Sequence, residues 1–114
     1  MRRYALLFRM DLSPEARPTA AQMERYMASW GEWIAWLRSE DRLEDGNHFQ
    51  PAGAVLRGGG VFEKSLHAAG RESVAGYLLV GARNLQDAID LARRCPILEG
   101  EGTSVEVREV AAPG

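Results

Sequence analysis

Residues 73–96 read SVAGYLLVGARNLQDAIDLARRCP, and they predict a buried strand followed at once by a helix. The apolar run Val74–Val80 is typical of a central strand, and Gly76 within it indicates a close backbone approach or a kink. Asn84 is a good N-cap, and apolar residues recur behind it at helical spacing until Pro96 ends the helix. This strand and helix predict a mixed fold with a sheet at its centre.

The N-terminal third predicts a strand and a long helix. Residues 3–10 alternate, and one face of the strand would carry Tyr4, Leu6, Phe8 and Met10. A turn-rich loop follows over residues 11–19, where Thr19 and Gln22 match a capping box that starts a helix. The helix should end near Arg42, and the stripe that it turns toward the sheet would be Met23, Met27, Trp30, Ile34 and Leu37.

The middle of the chain predicts strand structure that can be divided in two ways. Segments around 47–50 and 55–62 are either two short strands, joined at 51–53 as a hairpin, or one bent strand. The run 58–60 is Gly-Gly-Gly, but it lacks the spacing and the following helix of a phosphate-binding loop, so a bulge or flexible turn is favoured. Near the C-terminus, Ser104–Val110 alternates apolar and charged residues, as in a strand with one solvent-exposed face.

The element order is therefore β-α-β-β-β-α-β. It predicts an α+β, ferredoxin-like fold, in which two helices cover one face of a largely antiparallel sheet. The uncovered face would carry apolar residues that are unsuited to open solvent. The sequence thus predicts a homodimer formed through the open face, which would hold Arg3, Ala5, Leu7, Arg9, Ala75, Tyr77 and Leu79.

Composition narrows the class of protein. The chain has 114 residues, so we expect a single domain over residues 1–114. Its formal net charge of −2 lacks the basic excess that nucleic-acid binding needs. Cys95 is the only cysteine, which favours the cytoplasm over a secreted, disulfide-linked scaffold. No run approaches the ~20 apolar residues of a membrane-spanning helix, so no membrane partner is expected.

Several segments together resemble the YCII-related (DGPF-type) family over nearly the whole chain. They are Gly76–Val80, Asn84–Ile89, Cys95–Gly100 and Val105–Arg108. The resemblance implies a ferredoxin-like fold of the dimeric α/β barrel group, in which two sheets associate across their open faces. Most members are uncharacterised, and one branch is known for a dehydrochlorinase-type activity.

The sequence departs from that family at its functional positions. Where members usually carry Asp-Gly-Pro-Phe, residues 64–67 read Lys-Ser-Leu-His. The histidine and aspartate that act together in some relatives align with Trp30 and Cys95, so the resemblance implies no catalytic pair here.

Four residues are the candidates for a ligand pocket: Arg9, Trp30, His48 and His67. The two histidines could act as acid or base near neutral pH, Trp30 belongs to an aromatic-rich helix, and Arg9 ends the first strand. No spacing typical of metal ligands or nucleotide-binding loops is present, so no cofactor is expected. The first hypothesis is a homodimeric small-molecule binding or accessory protein. The alternative is a lyase or hydrolase that uses a histidine as acid/base.

Overall fold

The computed structural model of the chain describes residues 1–13 and 17–112, so Pro14 of the expected turn-rich loop lies outside the described residues. A short 3₁₀ turn, Pro96–Glu99, precedes the last strand. The two helices and six strands in the described residues are β1 (Arg2–Asp11), α1 (Ala20–Ser39), β2 (Leu43–His48), β3 (Val55–Arg57), β4 (Val61–Glu63), β5 (Glu72–Ala82), α2 (Leu85–Ala92) and β6 (Ser104–Glu109).

Four of these strands form a ferredoxin-like sheet in the order β2-β5-β1-β6, with every neighbouring pair antiparallel. Helix α1 connects β1 to β2, and α2 connects β5 to β6, so each helix crosses between strands that are not neighbours. The predicted α+β class and the two-helix plan are therefore confirmed.

One face of this sheet packs against the helices and forms the core. Trp33, which is 4% exposed, donates its indole N–H to the carbonyl oxygen of Leu91 at 3.2 Å and joins α1 to α2. The predicted strand face is confirmed, since Tyr4, Leu6 and Phe8 are buried on β1. Side chains from β5, from the helices and from residues 95–97 complete the core: Trp30, Leu37, Leu78, Val80, Ala82, Ala88, Leu91, Ala92, Cys95 and Ile97.

The buried stripe of α1 is rotated from the predicted one. Met23 and Met27 are 42% and 52% exposed, whereas Trp33 is buried beside Trp30. The large indole removes more apolar surface from water than a methionine does, so the helix turns its tryptophans inward. The helix start is as predicted: the Thr19 hydroxyl accepts from the Gln22 N–H, and the Gln22 side chain accepts from the Thr19 N–H.

The hairpin in the middle of the chain differs from the prediction. Residues 51–53 do not connect a pair of strands, because β2 pairs with β5 and not with β3. The tight turn is instead at 58–60, between β3 and β4, where Gly59 and Gly60 have φ of 84° and 83°. Glycine adopts such angles without a steric penalty, so the triple glycine is the turn of this hairpin.

Neither helix covers the opposite face of the four-stranded sheet. We call it the open face and define its centre by Ala5, Leu7, Tyr77 and Leu79, which are half-buried. Ion pairs lie around this centre, including Arg9 with Glu106 at 3.1 Å. The open face is therefore apolar in the middle and charged at its rim.

Candidate functional site

A cleft of about 510 Å³ lies between α1 and the edge strand β2, and we call it the α1–β2 cleft. Most of its residues come from these two elements, with further contributions from the sheet floor. It is lined by Phe8, Met27, Trp30, Gly31, Ile34, Arg38, Leu43, Glu44, Asp45, Gly46, Asn47, His48, Tyr77 and Leu78. Apolar walls with a few polar groups are typical of small-molecule sites.

Trp30 and His48 meet in this cleft. Their rings pack edge to face, with centroids 5.2 Å apart and an interplanar angle of 72°. Trp30 is 5% exposed and is held from behind by edge-to-face contacts with Phe8 and Trp33, whereas His48 is exposed. The indole thus forms a rigid floor, and the imidazole is the polar group at the opening.

Two glycines allow β2 to approach the sheet closely enough to place His48. A Cβ on Gly76 would lie 2.7 Å from the backbone oxygen of Asn47, and a Cβ on Gly46 would lie 2.5 Å from that of Tyr77. Real Cβ atoms are not found at such distances, so only glycine fits at these positions. The close approach predicted for Gly76 is therefore confirmed.

The entry to β2 is fixed by a buried carboxylate that we call the Asp87 clamp. Its Oδ2 accepts from the Arg42 guanidinium at 2.9 Å and from the Arg83 backbone N–H at 2.9 Å. Arg42 also exchanges hydrogen bonds with the backbone of Gly81 on β5. Hydrogen bonds from the side chain and backbone of Arg83, and then from Arg42, hold the pKa of Asp87 well below its ordinary value.

The charges around the cleft are of both signs. Arg38 lies in the last turn of α1, and Asp45 lies on β2. Glu44 is paired with Arg3. The cleft therefore offers a cationic group, a carboxylate and an imidazole to the polar end of a ligand.

The structure brings together two of the four predicted pocket residues in one subunit. Arg9 does not line the α1–β2 cleft, because its side chain pairs with Glu106 across the open face, on the other side of the sheet from Trp30. His67 is also absent from that cleft and lies in the loop before β5, where its carbonyl oxygen accepts from the Ser73 hydroxyl at 2.9 Å. The single shared pocket expected for all four residues is therefore not formed within one chain.

Sequence reasoning did not single out Gly31, Arg38 or Asn47 as cleft residues. A signal was present at Gly31, since glycine in the middle of a helix costs about 1 kcal/mol relative to alanine and calls for a reason. No atom lies within 4 Å of a Cβ built there, so the glycine leaves open space in the cleft wall. Arg38 and Asn47 have no comparable sequence signal, because their place in the cleft depends on how α1 crosses β2.

A second cavity of about 650 Å³ lies at the N-terminal end of α1, between that helix and residues 96–103. Tyr26 lies on its wall, and burial raises the pKa of this phenol. The rings of Tyr26 and Trp30 pack edge to face with centroids 6.0 Å apart, and the buried Trp30 indole N–H has no hydrogen-bond partner in the described residues. None of the four predicted residues lines this cavity.

The described part of the chain holds neither a reactive thiolate nor a cluster of metal ligands. Cys95 is 2% exposed, and burial raises the pKa of its thiol to about 12, so a reactive thiolate is not formed near neutral pH. Within residues 1–13 and 17–112, no three His, Cys, Asp or Glu side chains come close enough to hold a metal ion. Neither helix in the same residues has the length and apolar character needed to cross a membrane.

Comparison with known proteins found no matching family model and no matching curated protein.

Proposed function

We propose that the chain is a divergent YCII-related protein that forms a homodimer through the open face and binds a small organic molecule in the α1–β2 cleft. The contact of His48 with Trp30 is the observation that carries the binding proposal. It joins a rigid aromatic floor to a polar group that can donate or accept a hydrogen bond. The ligand would have a flat apolar body and at least one polar group.

Binding is favoured over the alternative, in which a histidine acts as acid/base in a lyase or hydrolase. Such a histidine is normally oriented by a hydrogen bond from its ring to a third group. His48 is exposed, and its ring contacts the ring of Trp30 rather than a carboxylate that would orient it. His67 lies outside the cleft, so the two histidines do not share one site within a subunit.

Binding can be tested by filling the cleft without disturbing the fold. Gly31→Phe places a ring into open space, and Ala28→Phe is the matched control, since Ala28 is exposed on α1 and does not line the cleft. A panel of small aromatic carboxylates, amines and neutral amides would be screened by thermal shift and tryptophan fluorescence. We expect a ligand to lose at least about tenfold in affinity for Gly31→Phe only. Equal affinity for both variants would place the site elsewhere.

The catalytic alternative has its own test. Any turnover found with the ligands of the panel would be measured in His48→Gln and His67→Gln. Loss of turnover with retained binding in His48→Gln would favour the enzyme over the binding protein.

The homodimer follows from the open face. Four apolar residues at its centre stay partly exposed, with Phe49 packed against one of them, and contiguous apolar patches on a sheet are typical of interfaces. In sedimentation velocity at micromolar concentration, we expect twice the 12.6 kDa of the chain. Leu79→Lys should give the monomer, whereas Leu85→Lys, a control on the exposed side of α2, should leave the dimer intact. A wild-type monomer at these concentrations would refute the dimer.

A further inference from the structure

The hairpin formed by β3 and β4, residues 55–63, projects from the body of the protein, and we call it the arm. Its two strands pair with each other and form a separate sheet. The radius of gyration is 15.4 Å, whereas a compact chain of this length has about 13 Å. The extents of 45 × 40 × 19 Å describe a broad, flat molecule rather than a sphere.

The arm has one wholly apolar face and one face that combines valines with an ion pair. Leu56 and Phe62 are directly opposite each other across the two strands, and they are 81% and 59% exposed. The other face carries Val55, Val61 and the ion pair of Arg57 with Glu63 at 2.7 Å. A lone two-stranded hairpin is only marginally stable in water, and an apolar cross-strand pair on one side favours packing against a surface.

The root of the arm lies on the open face. Phe49, which begins the segment leading to the arm, packs against Tyr77 with ring centroids 5.7 Å apart. Residues 49–71 leave the sheet between the end of β2 and the start of β5. The apolar surface therefore extends from the centre of the open face to Phe49, at the start of the segment that leads to the arm.

The open face alone is small for a stable dimer. Four strands spaced ~4.8 Å apart, with a mean length of about eight residues that rise ~3.3 Å each, make a face of ~500 Å² in projection. A standard interface removes ~800 Å² of accessible surface from each partner. In a dimer with two-fold symmetry both arms can add buried surface, because each arm covers the same patch on the other subunit.

We infer that the apolar face of the arm, Leu56 and Phe62, clasps the second copy of the chain. This inference rests on the proposed homodimer and adds to it a second patch outside the open face. Loss of the clasp should weaken the dimer without unfolding the subunit, because the arm lies outside the core.

Labelling of single cysteines can test the clasp. Cys95 is buried and gives little background with maleimides. Leu56→Cys and Val61→Cys place a thiol on opposite faces of the same arm. Above the dimer dissociation constant, we expect labelling of Leu56→Cys to slow by about tenfold or more relative to the dilute protein, while Val61→Cys stays fast at all concentrations. Adding Leu79→Lys should make Leu56→Cys fast again.

The affinity of the dimer gives a second readout. Leu56→Ser with Phe62→Ser should raise the dissociation constant by about 100-fold, whereas Val61→Ser should change it little. A dimer in which Leu56→Cys labels as fast as Val61→Cys overturns the clasp and leaves the proposed dimer standing. A wild-type monomer overturns both. Protection of Leu56→Cys in the monomeric Leu79→Lys variant would show that the arm folds back on its own chain, and this also overturns the clasp.

Discussion

Replacement of Asp87 by alanine tests how the entry to β2, and with it the α1–β2 cleft, is held in place. The carboxylate accepts hydrogen bonds from Arg42 after α1 and from Arg83 before α2, so it ties together the ends of both helices. Its side chain is 10% exposed, whereas that of Arg83 is 72% exposed. The contact with the exposed Arg83 side chain and the contacts with less accessible donors therefore contribute differently to stability.

The cost of the substitution can be worked out from these contacts. The pair with the exposed Arg83 side chain is screened by solvent and contributes little. The hydrogen bonds from the Arg83 backbone and from Arg42, whose side chain is 17% exposed, join the carboxylate to less accessible donors. Each such bond to a charged group contributes about 1–1.5 kcal/mol after discounting for partial exposure, so Asp87→Ala should lower the free energy of unfolding by about 2–3 kcal/mol.

The stability lost in Asp87→Ala should depend on pH. The pKa of Asp87 is lowered in the folded protein, so its stabilisation is complete above the unfolded pKa of about 4 and is lost as pH falls toward the folded pKa. At pH 3 the unfolded chain already binds the proton and the folded chain does not. The difference in the free energy of unfolding between wild type and Asp87→Ala should therefore be smaller by about 1 kcal/mol at pH 3 than at pH 7.

Urea unfolding followed by circular dichroism at pH 7 and pH 3 provides the measurement. Asp90→Ala is the matched control on the same helix, because Asp90 is exposed and its Gln86 contact is a surface one; it should cost less than about 0.5 kcal/mol. The stabilising role of the Asp87 clamp would be refuted if Asp87→Ala were as stable as the control. It would also be refuted if the difference in unfolding free energy from wild type did not change with pH.

Three further predictions concern the backbone, the cysteine and the helix cap. Gly76→Ala should lower the melting temperature by several degrees, because its Cβ meets the Asn47 oxygen, whereas Gly58→Ala has open space and should be neutral. Cys95 should resist Ellman's reagent at pH 8 in the folded protein and react fully in urea, and rapid reaction without denaturant would contradict its burial. Thr19→Ala should cost about 1 kcal/mol in urea unfolding, and no loss would deny the capping box a role.

The fold could be predicted where local signals and packing agree. The capping residues Thr19 and Asn84 both accept the expected backbone hydrogen bonds, and the alternation along β1 matches its buried face. The rotation of α1 could not be predicted from spacing, because two overlapping stripes compete and the size of Trp33 decides between them. The strand pairing of residues 43–48 was also hidden, since their charged and polar side chains carry no apolar alternation.

The candidate site was predictable only in part for a related reason. Trp30 and His48 have distinctive side chains, and the turn of α1 into β2 brings them to one cleft. His67 was grouped with them as a second histidine able to act as acid or base, and Arg9 because it ends the first strand. The bulge between Phe8 and Arg9 could not be predicted from sequence position. It sits where β1 passes from the core contacts of Phe8 to the ion pair of Arg9 on the open face.

Tyr77 connects the two halves of the proposed function. It lines the α1–β2 cleft and also belongs to the centre of the open face, where Phe49 packs against it. A second copy that covers the open face would therefore change the surroundings of one wall of the cleft. Under the proposed homodimer, ligand binding and dimer formation share this residue, so a ligand that binds the dimer more tightly must tighten the dimer by the same factor. Measuring ligand affinity in wild type and in Leu79→Lys would give that factor directly.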